Sequence, residues 1–176
     1  MPDATQLLSQ DHRKVEQLFD QFEQTDDPAI ARTICQELEV HTTVEEELVY
    51  PGLREVDEET AEHAEEEHDE ADEIIRKAKQ AEGAELHKQM KELRDSVEHH
   101  VEEEEKPDGA WQKLREGKGQ EWLEEVGSEV EQRKGELEQE TEPTKDELYR
   151  EAKDKDVPGR SDMSKDELED AVDTSS

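Results

Sequence analysis

The sequence predicts an all-α protein: an up-down-up-down four-helix bundle, then a partly helical linker and a C-terminal helix-turn-helix hairpin. Three observations carry that prediction. Four successive segments place apolar residues at alternating steps of three and four, the spacing that keeps side chains on one stripe of a helix. Start and stop signals divide those segments, and the connections between them are short, which favours antiparallel neighbours. Hydrophobic residues are scarce at 28% while charged residues reach 44%, so the core must be narrow. A slim bundle is the architecture that needs least apolar surface.

The elements follow in chain order. The first stripe is Leu8, His12, Val15, Phe19 and Phe22. Asp27-Pro28 joins a capping residue to a proline suited to the first helical position, so a second helix begins there. Its stripe is Ile34, Leu38, His41, Glu45 and Leu48, and Tyr50-Pro51-Gly52 is expected to close it. The third helix is expected from near Asp57 to before Gly83, with Ala61, Ala64, His68, Ala71, Ile75 and Ala78 on its stripe. The fourth carries Leu86, Met90, Leu93, Val97, His100 and Glu104 and runs to Lys106-Pro107. Residues 1–106 are therefore read as the bundle.

Residues 107–143 change character. Glycines at 109, 117, 119, 127 and 135 interrupt weak helical patterning, so the segment reads as an acidic, partly helical linker. The alternative is that Trp111 or Trp122 docks on the bundle or on a partner. Residues 144–176 hold an imperfect repeat, in which Thr144/Glu147 and Ser164/Glu167 each form a capping-box pattern, with a turn around Pro158-Gly159 between them. That is a small helical hairpin.

Four histidines thus occupy apolar stripes, one per helix, and two of them have a stripe glutamate one turn on: His41/Glu45 and His100/Glu104. The other histidines, His63, His87 and His99, fall off the stripes and act as controls. At 1.5 Å rise per residue, His12, His41, His68 and His100 all lie near mid-bundle and can meet in one layer. One stripe histidine is usually a hydrogen-bonded core residue; four in one layer point to a metal. Imidazole nitrogen with carboxylate oxygen suits iron, zinc, manganese or copper. Six donors exceed what one zinc needs and match two ions sharing carboxylate bridges. With one cysteine, Cys35, neither a thiolate zinc site nor an iron–sulfur cluster is available.

Charge and composition exclude other classes. The net charge is −33, a field that repels phosphate backbones and anionic membranes. A surface this acidic fits a salt-rich cytoplasm, where screening weakens self-repulsion. No stretch approaches the ~20 apolar residues of a membrane span, and no secretory signal opens the chain. The lone Cys35 suits a reducing compartment, so a cytoplasmic location is expected. No Ser/His/Asp or Cys/His set is plausibly placed for nucleophilic catalysis, so a binding or sensing protein is expected rather than a turnover enzyme.

The residues also carry a resemblance. Asp11-His12-Arg13-Lys14-Val15, His41 to Glu45-Glu46-Glu47 and Tyr50-Pro51, Glu67-His68-Asp69, and His99-His100-Val101-Glu102-Glu103-Glu104 resemble the motifs of the hemerythrin-like (HHE cation-binding) family, over residues 4–106. The resemblance implies a bundle holding a non-haem di-iron centre, with His12, His41, Glu45, His68, His100 and Glu104 as ligands and Glu45 and Glu104 as bridges. It implies binding of or reaction with a small ligand such as O₂, NO or peroxide, in sensing or oxidative-stress defence. Zinc or manganese fits the same donors, and non-redox metal storage or buffering is the alternative. Oxygen-carrying members have a His-x-x-x-His pair in the third helix. Here position 64 is alanine, and position 105 is glutamate where they have aspartate. One imidazole is missing, which argues against reversible O₂ carriage.

The tail resembles small Rho-N-terminal/SAP-like hairpins, in the run Pro158-Gly159-Arg160-Ser161. Some of those contact nucleic acid, but residues 144–176 hold 11 acids against 6 bases. A protein-interaction or solubilising appendage is the expectation for that segment, and an interaction scaffold working through it is a further alternative for the whole chain.

Overall fold

The computed structural model describes residues 2–141, 148, 152–153, 158–159 and 163–173, and all the regular structure among them is helical. Helix α1 spans Ala4–Thr25, capped by Asp3, whose side chain accepts from the Gln6 backbone while Gln6 answers in a capping box. Helix α2 spans Pro28–Val44 and opens on the Asp27 cap with Pro28 in the first turn. A π-helical turn, Glu45–Val49, then leads directly into α3, Tyr50–Val56. Helix α4, Glu58–Ala78, starts on the Asp57 cap, and α5 covers Gly83–Glu105. Gly83 enters it at φ +55°, in the left-handed region.

These elements form the four-helix bundle, with α1 beside α2, α2 beside α4, α4 beside α5, and α5 back against α1. Two apolar clusters prove the antiparallel order. One gathers Val15, Phe19 and Phe22 late in α1, Ile34 and Leu38 from α2, Ile74 and Ile75 late in α4, and Leu86, Met90 and Leu93 early in α5. The other gathers Ala4 and Leu8 early in α1, Val44, Val49, Tyr50 and Leu53 around α3, and Ala61 and Ala64 early in α4. Late residues of α1 and α4 meet residues from the earlier parts of α2 and α5, which only alternating directions allow. Burying each large side chain contributes about 1.5–3 kcal/mol. Arg94 adds a clamp outside, reaching Asp20 and Glu23 of α1.

One expectation fails. Tyr50-Pro51-Gly52 does not close the second helix, which continues to Val56. In the π turn the Tyr50 N–H donates to the Glu45 carbonyl, so the α-ladder is already interrupted one residue before Pro51, which has no N–H to give. The wide turn also adds a residue to the stripe. Beyond Glu45 the buried positions up to Val56 are Val49, Tyr50, Gly52 and Leu53, while Leu48 is only partly buried.

The segment after the bundle folds as α6, Ala110–Gly117, and α7, Gly119–Thr141. Trp111 and Leu114 of α6 and Leu123, Val126 and Val130 of α7 are buried in the cluster that holds Leu8 and Tyr50. Trp111 docks on the bundle, its ring parallel to that of His12 within 12° at 6.3 Å. Gly127 serves close approach here: a Cβ on it would lie 2.8 Å from the Pro2 carbonyl and 2.9 Å from the Ala4 nitrogen. Bare backbone lets α7 seat against the start of α1.

Residues 138–176 make a separate compact unit. Leu148 and Ala152 cluster with Leu168 and Val172, so the two copies of the repeat bury their apolar positions together. Helix α8, Lys165–Asp173, opens on the expected capping box, with the Ser164 N–H donating to Glu167 and the Glu167 N–H to Ser164. The Thr144/Glu147 box, Arg160 and Ser161 lie outside the described residues. No helix among the described residues is long and apolar enough to cross a membrane.

Candidate metal centre

The bundle interrupts its apolar core with one polar layer. His12, His41, Glu45, His68, His100 and Glu104 are all buried, while His63, His87 and His99 are exposed. Helix periodicity alone therefore separates the histidines that meet from those that do not. His100 rather than His99 and Glu104 rather than Glu103 turn inward.

The layer divides into two halves. The Nε2 atoms of His12 and His41 lie 3.1 Å apart, and so do those of His68 and His100. Glu45 stands between the halves, one carboxylate oxygen 3.2 Å from His41 Nε2 and the other 3.3 Å from His68 Nε2. Glu104 faces both as well, with Oε2 at 3.5 Å from the Nε2 atoms of His12 and His100. Two three-residue groupings have metal-holding geometry, His12/His41/Glu45 and Glu45/His68/His100. Donors at ~2.1 Å from a shared ion sit ~3 Å from one another at right angles, close to the spacings here.

The donor set fits a cation for a second reason. Glu45 Oε1 and Glu104 Oε2 are buried and accept no hydrogen bond. A buried carboxylate oxygen without a donor is costly in a protein interior. Among protein groups the burden falls on ionisation instead. Burial opposes charge on Glu45, yet His41 and His68 outweigh it and hold its carboxyl well below the usual range. Burial and the adjacent Glu45 push Glu104 up to about 8. Burial also opposes protonation of His41, but Glu45 and Asp11 override it and raise His41 to about 10. A cation between the halves would satisfy the two unpartnered carboxylate oxygens.

Each imidazole is steered from behind by an acid on its outer nitrogen. His12 Nδ1 meets Glu105 at 2.8 Å, His68 Nδ1 meets Glu46 at 2.9 Å, and His100 Nδ1 meets Glu67 at 2.8 Å. The fourth pair is looser, with His41 Nδ1 3.5 Å from Asp11. An imidazole that donates from Nδ1 presents the Nε2 lone pair inward, the arrangement second-sphere carboxylates impose on metal-binding histidines. Lys134 of α7 holds Asp11, and Arg13 holds Glu105 at 2.7 Å. These acids escape a sequence reading because they sit beside the ligands in a chain of 55 acids, where a neighbouring carboxylate discriminates nothing.

Tyr50 is the other residue that periodicity misses. In an α-helix, residues five apart point about 140° away from each other, so the continuing stripe omits position 50. The π turn brings residue i+5 back over residue i, and Tyr50 enters the layer beside Glu45. Its ring stacks on His68 at 5.2 Å and its hydroxyl donates to Glu104 Oε1 at 2.8 Å.

Space beside the layer differs on its two sides. Toward Ala71 a cavity of about 20 Å³ is lined by Val15, Leu38, Ile75 and Val97 with the histidines, room for one small molecule. Toward Ala64 a half-open groove of about 510 Å³ runs between α4 and the turn after α5 and reaches Glu104. Glu59, Glu62, Glu66 and Glu103 line it, an approach favourable to cations.

Comparison with curated proteins gave no match, nor did comparison with solved structures. A family model, the hemerythrin HHE cation binding domain, matches residues 3–108. That span covers all four bundle helices and both halves of the polar layer. The chain belongs to the hemerythrin HHE cation-binding domain family.

Proposed function

We propose that this chain is a non-haem di-iron protein that binds or reacts with O₂, NO or peroxide in sensing or oxidative-stress defence. One observation carries the reading: two converging histidine pairs share Glu45, whose oxygens face one pair each. His12 and His41 would hold one ion, His68 and His100 the other, and Glu45 and Glu104 would bridge them. Bound iron would supply one-electron chemistry toward a diatomic or peroxide ligand. The donors equally accept zinc or manganese.

The protein's own groups prepare the centre. Glu105, Asp11, Glu46 and Glu67 fix the imidazoles so that no histidine must reorient on loading. The apolar walls of the cavity at Ala71 admit a small uncharged ligand and exclude bulk water. Position 64 brings no imidazole, which favours reaction or sensing over reversible O₂ carriage. We assign residues 144–176 as a protein-interaction module on the strength of their separate apolar cluster, and the lone Cys35 supports a cytoplasmic setting.

The test is anaerobic loading with Fe(II) followed by air. Two irons per chain and a new oxo-to-iron absorption are expected. Fewer than two irons, or no spectral change, overturns the reading. Full binding of iron with no response to O₂, NO or peroxide would leave storage as the role.

A further inference from the structure

Two of the histidines outside the polar layer face one carboxylate oxygen. His63 on α4 and His99 on α5 place their Nε2 atoms 3.5 Å and 3.4 Å from Glu67 Oε1. That oxygen is buried and accepts no hydrogen bond from either ring. The other oxygen of Glu67 holds His100 Nδ1 at 2.8 Å, so the carboxylate is fixed while Oε1 is left without a donor. A surface pair one helical turn apart would bond through a single N–H; here two imidazoles approach one oxygen and neither donates to it. Ligands ~2.1 Å from a zinc ion at tetrahedral angles lie ~3.4 Å from one another. Both contacts to Oε1 have that spacing, as do the contacts of Glu104 Oε2 in the layer, at 3.5 Å.

The two rings have room to close on an ion. The side chains of His63 and His99 are 56% and 64% exposed, so each can turn without disturbing the core, and water can fill the remaining coordination positions. Among the described residues only the two inner groupings are already closed. An outer ion is therefore met by rings that swing to it, and is held more weakly than the inner ones.

The cluster also stands on a path inward. His63 and Glu67 line the groove of about 510 Å³ that reaches Glu104, whose Oε2 is buried and unpartnered. Lys106 and Lys113 line the groove as well, but Glu103 and Asp57 neutralise them at 2.5 Å and 2.8 Å. The remaining wall is acidic and draws cations.

We propose that His63, Glu67 and His99 form a third, outer site for a divalent transition cation, which captures the ion at the surface before it passes along the groove to the layer. The capture step rests on the two-metal reading above; the outer site itself does not. Two imidazoles with one carboxylate suit Zn(II) or Fe(II) and not the harder Mg(II) or Ca(II).

The full chain is titrated with zinc against a competing chromophoric chelator, unaltered and as His63→Ala/His99→Ala. Both replaced side chains are exposed, so the bundle core is untouched. Three zinc ions are expected per unaltered chain and two in the double variant, the weakest being the one lost. His87→Ala removes another exposed histidine, paired with Asp26 at the start of α5, and keeps three. Fe(II) entry into the layer, followed anaerobically by quenching with a chelator at intervals, should slow several-fold in the double variant and reach the same end point. Equal zinc counts in the unaltered and double-variant proteins overturn the outer site, and equal rates of entry overturn its capture role. A count that falls by one from a total below three upholds the outer site and overturns the two-metal reading.

Discussion

His12 and Glu105 are joined across the bundle at 2.8 Å, from imidazole Nδ1 to carboxylate. Glu105 follows Glu104 directly, so one residue of α5 faces the centre while the next steers a histidine of α1. Arg13 completes the contact from the outside at 2.7 Å. Position 105 therefore holds an imidazole of the layer by its outer nitrogen. Glu105→Ala is expected to leave the bundle folded and weaken metal binding about 10- to 100-fold. Glu105→Gln, which keeps an acceptor, should lose less. Zinc titration against a competing chelator measures both, and unchanged affinity in the alanine variant would contradict the steering role.

Cys35 sits buried in the cluster with Ile34 and Leu38, and burial pushes its thiol up to about 11 from 9.0. A raised pKa means that the unfolded chain deprotonates first. The stabilising difference is present below pH 9 and is lost as pH rises through 11. Two units correspond to about 2 to 3 kcal/mol. Urea unfolding across that window should show a decline that Cys35→Ala lacks, and thiol reagents should leave folded Cys35 untouched at neutral pH. Parallel declines in both proteins would refute the assignment.

Trp111 carries the docking of the segment after the bundle. Its indole is buried among Leu8, Leu114 and Leu123 and stacks on His12. Truncating it to alanine should cost about 3–5 kcal/mol, read as a lower urea midpoint, whereas an independent linker would lose almost nothing. Metal affinity should fall with it, because the same ring backs His12.

The net charge of −33 predicts self-repulsion that salt relieves. Exposed ion pairs contribute about 0–1 kcal/mol each, too little for their screening to reverse the trend. The melting temperature should rise with added KCl. A flat or falling curve would show that repulsion is not limiting.

Most of the bundle and of the polar layer is legible in the sequence because both obey one rule. Leu8, His12, Val15, Phe19 and Phe22 are all buried, as the three-four spacing requires, and the Asp27 and Asp57 caps stand where helices begin. The rule breaks where the backbone leaves α geometry. Nothing in Glu45-Glu46-Glu47-Leu48-Val49 marks a π turn, so by sequence Tyr50 is only the residue before a helix-ending proline. The glycines of 107–143 misled for a related reason. Gly127 reads as a helix breaker, yet it lies within α7 and serves close packing on Pro2 and Ala4. Both are tertiary effects, invisible to local periodicity. The orienting acids were hidden by abundance.

The central claim is that one polar layer holds two ions bridged by Glu45. Anomalous diffraction at the iron edge, on crystals of the loaded full chain, tests it most directly. Two peaks about 3.5 to 4 Å apart are predicted, one against His12 and His41, the other against His68 and His100, with Glu45 between them. A single peak, or peaks away from those imidazoles, would contradict the account.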